Sequence, residues 1–313
     1  DNRDAKWIAD LFKFGIVKGS FIPEKNIRIL RECTRYLVKM TNMRSSEKNR
    51  FQNALTVGNC KLDLAFSDVF GKSASSIVNL ILSQNDYSDE DILSLVDGRC
   101  KSSPETILDA VHGSSFTDIQ KTRMHLIHHH MDFLDSQIQQ LELLIDALVA
   151  PYEGYITLLC SIPGIKRRSA IIILSEIGVD MSQFSSHMRL SSWAGLAPTS
   201  NESAGKKKSV KISRAGVYLK PCLVEVAHAA IKDKKCSYYA NKHSKIMKRR
   251  GKKRAIIAIS RKILVAIYHM LTTGEFFNPR DLASVETTPE KRIKYATSNL
   301  LSAVRQLSSS GLS

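Results

Sequence analysis

The sequence predicts a mostly α-helical protein, and three observations support this prediction. Apolar residues recur at intervals of three and four along much of the chain, which is the spacing of one helix face. Only eight prolines interrupt the 313 residues, and the apolar–polar alternation of half-buried strands is hard to find. With 43% hydrophobic and 24% charged residues, the composition is ordinary for a folded globular chain.

The N-terminal region is predicted to contain one short helix, one long helix and several small segments. Residues 1–15 form an amphipathic pattern whose apolar stripe includes Ile8 and Phe12. Pro23 opens a long, charged helix that extends to Leu55, because proline is favoured in the first helical turn. Shorter pieces follow over residues 56–115, where the chain is broken by Gly58, Gly71, Gly98, Pro104 and Gly113.

Residues 117–150 carry the clearest periodic signal. The spacing between apolar residues alternates between four and three from Ile127 to Leu148, by way of Met131, Leu134, Ile138, Leu141 and Ile145. A seam of this kind predicts a coiled coil. Its partner is either the 24–55 helix folded back or the same helix of a second subunit, and the second alternative makes the protein a homo-oligomer.

The net charge of +16 is concentrated in one segment of the chain. Residues 206–262 contain 19 lysines and arginines and two acids, whereas all other residues together carry 27 basic and 28 acidic groups. A local excess of positive charge attracts polyanions, and the neutralisation of phosphates with release of counterions is its commonest use. The sequence therefore predicts a nucleic-acid partner.

A glycine- and serine-rich loop, GLAPTSNESAGKKKSVKISRAG at 195–216, brings Ser203 next to many cations. Serine attack on a phosphodiester needs an exposed hydroxyl, a flexible backbone and cations that stabilise the developing charge. Ser203 is the candidate nucleophile, and its candidate cations are Lys206, Lys207, Lys208, Lys211 and Arg214. An ordinary surface loop is the alternative, and the competing serines are Ser200, Ser209 and Ser213.

Two more basic elements are candidate contacts with a nucleic-acid backbone. Residues 158–178, LLCSIPGIKRRSAIIILSEIG, resemble a helix-hairpin-helix, in which N–H groups at a tight turn hold a phosphate. Its candidate contacts are Gly164, Lys166, Arg167 and Arg168, and a plain helical hairpin in a core is the alternative. The second element is a cationic block before an apolar helix: Lys245, Lys248, Arg249, Arg250, Lys252, Lys253 and Arg254. For this block, a solvated basic surface is the alternative.

Asp1 and Asp4 are candidates for a metal site. They are three residues apart, so on a helix both carboxylates face the same way and suit one Mg²⁺ ion. Capping of the helix N-terminus by acids is the alternative.

Cysteine spacing and hydropathy indicate where the protein resides. The six cysteines are scattered without a CxxC pair, which favours reduced thiols in a cytoplasm. No run of 18 apolar residues is present, so we expect no membrane-spanning segment.

The order of the motifs resembles one family, although each motif alone is unspecific. DNRDAKWIADLFKFGIVKGSFIP, SDVFGKSASSIVNLIL, the coiled coil, IPGIKRRSAIIILSEIG, RLSSWAGLAP and the serine loop with ISRAG are similar to the DEDD transposases of bacterial insertion sequences. These form the insertion-sequence "one-ten" family with its "eleven-eleven" branch. The resemblance extends from Asp1 to about Asn278, which is most of the chain.

The resemblance implies a fold, a chemistry and partners. It implies a RuvC-like domain of ribonuclease-H fold, a coiled-coil region and a transposase domain with a catalytic serine, which falls on Ser203. It also implies DNA cleavage and strand exchange, a guide RNA, and an acidic tetrad that binds Mg²⁺, whose last two aspartates fall on Asp1 and Asp4. We further expect a cytoplasmic, nucleoid-associated protein of bacteria.

This chain departs from the family pattern in two respects. The first aspartate and the glutamate of the tetrad belong upstream of DNRD, so we expect a chain that is truncated at its N-terminus. Ala204 and Val210 stand where the family has glycines, which stiffens a loop that must approach DNA.

The expected organisation combines these elements. Residues 1–116 are the C-terminal remnant of the RuvC-like domain with a helical region, and 117–150 form the coiled-coil helix. Residues 151–277 are the transposase domain, and 278–313 are a tail without an assigned role. The competing function is a helical protein that binds DNA or RNA without catalysis, or an inactive transposase fragment.

Overall fold

The computed structural model describes residues 2–16, 22–84, 86–198, 201–203, 206–209, 212–279 and 297. The chain divides into two compact units. The first unit combines residues 1–34 with 147–313, and the second contains residues 35–146. These limits differ from the organisation expected from the sequence, whose boundaries follow the family resemblance and stay a prediction.

Helices account for nearly all the regular structure of the described residues, so the prediction of a mostly helical protein is confirmed. The helices are α1 Asn2–Lys13, α2 Lys25–Val57, α3 Leu62–Ala65, α4 Lys72–Ser83, α5 Asp89–Ser94, α6 Pro104–Val111, α7 Asp118–Val149, α8 Glu153–Cys160, α9 Arg167–Ile177, α10 His187–Trp193, α11 Leu219–Ala230, α12 Tyr238–Arg250 and α13 Lys252–Thr273. Strands β1 Asn201–Ser203 and β2 Lys206–Ser209 form one antiparallel pair. The N-terminal residues are held in helices that do not identify a RuvC-like fold, so this part of the fold stays a prediction.

Glycine and proline delimit the small helices of the second unit as the sequence predicts. Gly71 is the N-cap of α4, and Pro104 is the first residue of α6 after the capping serine Ser103. Helix α5 begins with a capping box, in which Ser88 and Asp91 satisfy each other's backbone N–H groups. Together with α2 and α7, these helices enclose one apolar core, in which Ile77, Ile92 and Met124 are fully or almost fully buried.

The two long helices meet within the second unit. Arg44 of α2 donates a hydrogen bond of 2.9 Å to the Asp135 carboxylate of α7, and the Glu47 carboxylate lies 3.1 Å from His130 Nδ1. Seam residues Ile127, Met131 and Leu134 are buried. The chain therefore folds α2 back against α7, which is the first of the two alternatives. A supercoiled geometry for this pair stays a prediction.

In the first unit, α13 is the central helix. It packs against α10, α11 and α12, and Ile259, Ile263 and Ile267 are fully buried. Arg31 of α2 stabilises the end of α9: its Nε and Nη2 donate hydrogen bonds of 2.8 and 2.9 Å to the carbonyls of Ser175 and Glu176. These carbonyls have no partner inside their own helix, and a cation there also suits the helix dipole.

The expectation that no segment spans a membrane stays a prediction. Helical residues Asp118–Cys160 and Lys252–Thr273 are both long and apolar enough to cross one. Core helices of soluble proteins pass the same test, and α13 buries an apolar face of this kind. These two helices are therefore weak evidence for a membrane span.

Candidate nucleic-acid interface

The predicted helix-hairpin-helix region consists of α8, a tight turn and α9. Gly164 adopts a φ of +87° in this turn, which favours glycine. A Cβ atom at Gly164 would lie 2.6 Å from the Val226 carbonyl oxygen and from the Ala230 nitrogen of α11. The glycine therefore allows the turn to pack directly against the backbone of α11. The structure thus gives Gly164 a packing role, and its contact with a phosphate stays a prediction.

Three cations follow this turn at the beginning of α9. Lys166, Arg167 and Arg168 are exposed, and Lys166 occupies the N-cap position without a side-chain cap. Arg167 Nη1 lies 2.5 Å from the Glu153 carboxylate of α8, so part of its charge is neutralised within the protein. A cavity of about 350 Å³ lies beside the turn, and its lining includes Lys166, Lys232 and Asp233. Exposed cations beside free amide groups are suited to a phosphate.

The predicted serine loop contains a β-hairpin. Ser203 pairs with Lys206 and Glu202 pairs with Lys207, so Ser203 is the last residue of β1. The described residues of the hairpin are known by their backbone positions, which bring Ser203 next to the lysine-rich strand β2. Lys211, together with Ser200, Ala204, Gly205 and Val210, lies outside the described residues. Arg214 is exposed on the return segment.

The base of this hairpin is fixed by two glycines and one lysine. Gly195 and Gly216 both have a φ of +68°, and each approaches the backbone of the other's segment. A Cβ at Gly216 would lie 2.3 Å from the Ala194 carbonyl oxygen, and one at Gly195 would lie 2.5 Å from the Ala215 oxygen. A side chain at either position would push the two segments apart. Both ends of the serine segment are therefore held together at its base.

Lys220 is a positioning residue that sequence reasoning missed. Its Nζ donates hydrogen bonds of 2.7 Å to the Ser213 carbonyl and 2.9 Å to the Ala215 carbonyl. Its charge is therefore used to hold the chain at the hairpin base. The sequence offers no signal for this role, because Lys220 is one of many lysines in a basic segment.

The predicted cationic block forms an exposed ridge where α12 ends and α13 begins. We use "cationic ridge" for its members: Lys245, Lys248, Arg249, Arg250, Lys252, Lys253 and Arg254, all of which are exposed. Gly251, with a φ of +79°, joins the two helices. Among the described residues, no acid pairs with Arg249, Lys253 or Arg254. These three side chains therefore present charge that the described residues do not pair with an acid.

The ridge cations have opposite relations to the dipoles of their two helices. Lys248, Arg249 and Arg250 occupy the last turn of α12, where the helix dipole stabilises a cation. Lys252 and Lys253 occupy the first turn of α13, where the dipole opposes a cation. A bound anion at this point would be stabilised both by the lysines and by the free amides of α13.

The candidate metal site is only half described. Asp4 lies in the first turn of α1 and is exposed, whereas Asp1 lies outside the described residues. Within the described part of the chain, no group of three or more His, Cys, Asp or Glu side chains is placed to hold a metal ion. The described residues therefore do not by themselves provide a ligand set for Mg²⁺, and helix capping by Asp4 is equally compatible with its position.

Cys60 and Cys222 are poorly suited to act as nucleophiles. All six are free thiols. Burial raises the pKa of Cys60 to about 11 and that of Cys222 to about 12, so neither forms a thiolate near neutral pH. Burial also raises the pKa of Cys160, which lies next to the turn before α9.

The similarity to known proteins falls in the part of the chain that contains the serine hairpin. Residues 156–243 match the model of the "Transposase IS116/IS110/IS902 family". This match begins in α8 and ends in α12, so it includes the turn before α9 and the serine hairpin. The cationic ridge begins just after it.

A curated relative gives a second comparison. The chain is 31% identical over 125 residues to the "Transposase for insertion sequence element IS1111A" of Coxiella burnetii (strain RSA 493 / Nine Mile phase I). The aligned part is 37% of this chain and 33% of the relative, so the chain spans about a third of the length of the relative it matches.

Proposed function

We propose that this chain, whose residues 156–243 match the IS116/IS110/IS902 family of transposases, belongs to that family and acts on DNA as an insertion-sequence transposase. The observation that carries the proposal is the joint location of the family match and the positive charge. The family segment contains the serine hairpin and the turn before α9, and it runs directly into the cationic ridge. Phosphates of DNA are the natural counterions of such a surface.

The exposed cations divide into groups with different parts in DNA binding. The seven ridge residues and the exposed side chains of Arg167 and Arg168 contact the backbone, which positions DNA without reading its sequence. In this proposal Lys206, Lys207, Lys208, Lys211 and Arg214 neutralise the scissile phosphate and its neighbours. The return of β2 beside Ser203 supports this assignment, because backbone pairing keeps Lys206 and Lys207 adjacent to the end of β1.

Ser203 is the nucleophile of the proposed reaction. Its hydroxyl oxygen forms a bond to phosphorus, and the bond between phosphorus and the adjoining deoxyribose oxygen breaks. The serine proton passes to that leaving oxygen, so the cut strand ends in a free hydroxyl. The phosphoserine ester conserves the bond for rejoining, in which a strand hydroxyl attacks phosphorus and restores the serine. The nearby lysines stabilise the extra negative charge of the transition state.

Mg²⁺ and RNA are further parts of the proposal. Asp1 and Asp4 are the residues of this chain that would contribute carboxylates to a magnesium site, and the ion would supply charge stabilisation near the phosphate. A guide RNA would select the DNA sequence, since backbone contacts carry no sequence information. The same cationic surface suits either nucleic acid.

The test is the formation of a covalent adduct. The chain is incubated with Mg²⁺, radiolabelled DNA of the insertion element's own ends and RNA transcribed from the element. We expect labelled protein after denaturing electrophoresis, absent for Ser203→Ala and retained for Ser209→Ala, which serves as the matched control. DNA binding without an adduct in any variant would replace the transposase proposal with a non-catalytic binding module. Failure to bind DNA at all would overturn both.

Self-association through the long helices is the proposed mode of assembly. In α7, Ile119, Leu126 and Phe133 are exposed and seven residues apart, and in α2 the exposed pair Tyr36 and Met43 has the same spacing. Residues at this spacing lie on one face of a helix, so each helix carries an apolar stripe in addition to its buried seam. A second copy of the chain carries the same stripes and would cover them.

Light scattering after gel filtration tests this assembly. We expect the parent to have a multiple of the monomer mass of 35.0 kDa, and Leu126→Glu with Phe133→Glu to have the monomer mass. The double change Gln139→Glu with Gln140→Glu adds the same charge at exposed positions of α7 and should leave the assembly intact. A parent protein that is already monomeric would contradict the proposal.

A further inference from the structure

A cavity in the first unit has no role in the chemistry described so far. It has a volume of about 710 Å³ and is formed by α10, α12, α13 and residues 274–279. Its lining includes His187, Arg261, Lys262, His269 and Phe276. The volume lies within the range of sites that hold small organic ligands.

One side of the cavity is aromatic. The rings of Tyr239 and Phe277 are stacked, with centroids 5.8 Å apart and an interplanar angle of 22°, and Tyr238 meets Tyr239 edge-on at 5.0 Å. Phe276, which precedes Phe277 in the chain, also lines the cavity, but its side chain is 62% exposed. The first three rings form a rigid support, whereas Phe276 keeps apolar surface available for a planar ligand.

The lining also contains polar and cationic side chains, beside apolar residues of α13. Arg261 and Lys262 of α13 line the cavity, and the rings of His187 and His269 lie 5.3 Å apart. No acid of the described residues pairs with Arg261. Glu275 also lines the cavity, and its carboxylate suits an amino group rather than an anion. The lining therefore combines a flat apolar surface with cations and hydrogen-bond acceptors, among them Glu275, which matches the chemistry of a nucleotide.

The cavity is connected to the cationic ridge through α13. Arg254 belongs to the ridge and Arg261 to the cavity, and they are seven residues apart on the same helix. Seven residues are about two helical turns and a rise of about 10 Å, so both side chains lie on nearly the same face. A nucleic-acid strand held by the ridge could therefore extend along α13 to the cavity, because a cationic groove that follows the backbone is the usual site for a single strand.

We propose that this cavity binds a single unpaired nucleotide of the nucleic acid held by the ridge. The base stacks on Phe276, and Arg261 and Lys262 hold the adjoining phosphate. The nucleotide must be unpaired, because both faces of a paired base are covered by its neighbours in the duplex. Aromatic stacking beside a cationic groove is the general way in which proteins hold single-stranded nucleic acid. The inference rests on the proposed function to the extent that it requires a nucleic-acid partner.

Fluorescence of 2-aminopurine tests the proposal with the full chain. The probes are two labelled duplexes, one with a single bulged 2-aminopurine and one with the same base paired, each made as DNA and as RNA. We expect the parent to bind the bulged duplex about tenfold more tightly than the paired one and to change the fluorescence of the bulged base. If the preference for the bulged duplex is larger with DNA, the bound nucleotide belongs to DNA. If it is larger with RNA, the bound nucleotide belongs to RNA.

Variants separate the cavity from the ridge. Phe276→Ala and Arg261→Gln should abolish the preference for the bulge while leaving binding to the paired duplex almost unchanged. Phe14→Ala, which removes an exposed phenylalanine of the N-terminal segment, should preserve the preference. Arg249→Gln with Lys253→Gln should weaken binding to both duplexes equally.

The outcomes distinguish the two proposals. Equal binding of bulged and paired duplexes by the parent would overturn the nucleotide site and leave the proposed function intact. A preference for the bulged duplex that persists in both Phe276→Ala and Arg261→Gln would likewise overturn the nucleotide site and leave the proposed function intact. Absence of binding to every probe would overturn the proposed function itself.

Discussion

The basic stretch 206–262 and the unit 35–146 are built mainly from helices of similar type but carry very different charge. The stretch has 19 basic residues against two acids, whereas the unit has 11 basic residues against 15 acids. Both bury apolar faces, so neither needs the charge in order to fold. Concentrated like charge opposes the compact state, which means that the stretch retains its cations at some cost to stability. The comparison separates the residues that make the fold from those that serve a partner.

Helix beginnings show the same contrast locally. Helix α5 of the unit 35–146 begins with Asp89, Glu90 and Asp91 after a capping serine, which is the favourable arrangement of charge and dipole. Helix α13 begins with lysines, which is the unfavourable one. Acids in the first turn of a helix stabilise it, so a helix optimised only for stability would begin with acids. The lysines of α13 are therefore consistent with the nucleic-acid partner proposed above.

The largest expected effect is on stability, from the core of the unit 35–146. Ile77 is fully buried there, and Ile77→Ala should lower the free energy of unfolding by about 2–5 kcal/mol, because it removes apolar contacts and leaves a cavity. Urea denaturation measures this change. Leu64→Ala, at an exposed position, is the control and should have little effect. Under conditions in which Ile77→Ala is still folded, we expect it to bind nucleic acid as tightly as the parent, because the core does not contact the partner. A loss of affinity in the folded variant would contradict the separation between residues that make the fold and residues that bind the partner.

The next effect is on nucleic-acid binding, from the ridge. The triple variant Arg249→Gln, Arg250→Gln and Lys253→Gln should weaken binding to a duplex about 100-fold at 0.15 M salt, since it removes three cations that neutralise phosphates. The slope of log affinity against log salt should fall by about three. Fluorescence anisotropy across a salt series measures both quantities. Three exposed lysines of the unit 35–146, changed together as Lys39→Gln, Lys61→Gln and Lys101→Gln, should leave both unchanged. Equal losses in the two triple variants would show that only total charge matters.

The smallest effect sharpens the contrast between α5 and α13. Lys252→Glu should raise the free energy of unfolding by about 0.3–1 kcal/mol, because an acid suits the helix N-terminus, while it weakens nucleic-acid binding. Glu90→Lys, the reverse change in the first turn of α5, should lower the free energy of unfolding by a similar amount and leave binding unaffected. Urea midpoints at low salt, where the dipole effect is least screened, measure both. A destabilising effect of Lys252→Glu would contradict the view that the cations at the beginning of α13 serve to bind a partner.

Local sequence signals predicted much of the helical structure correctly. Pro104 begins α6 and Gly71 precedes α4 as expected, since these residues act on the backbone within one turn. The seam on α7 was confirmed in part, because a helix has a fixed period. Its residues Ile127, Met131, Leu134 and Ile145 are buried, and the others are half-buried. Its partner could not be chosen from the sequence, since α2 and a second copy of α7 offer equally apolar surfaces. The hydrogen bond between Arg44 and Asp135 shows that α2 packs against α7.

The roles of the candidate site residues stay predictions, and the structure describes only their positions. The cations of the ridge and of the turn before α9 are exposed as expected, because long charged side chains remain in water unless they are paired. The hairpin around Ser203 was missed, since its strands are short and polar and carry no apolar alternation. Lys220 and the cavity at Phe276 were missed for a different reason: they combine residues whose meaning depends on what lies next to them in space.

The sequence by itself determined the helical class, the position of the positive charge and the order of motifs that resembles a transposase family, because these depend on residue type and on spacing along one chain. Only the tertiary structure decided that α2 folds back on α7, that Gly195 and Gly216 hold the serine segment at its base, and that aromatic and cationic side chains from three helices enclose one cavity. Such features depend on contacts between residues far apart in the chain. A short local pattern does not specify which distant surface will fit it.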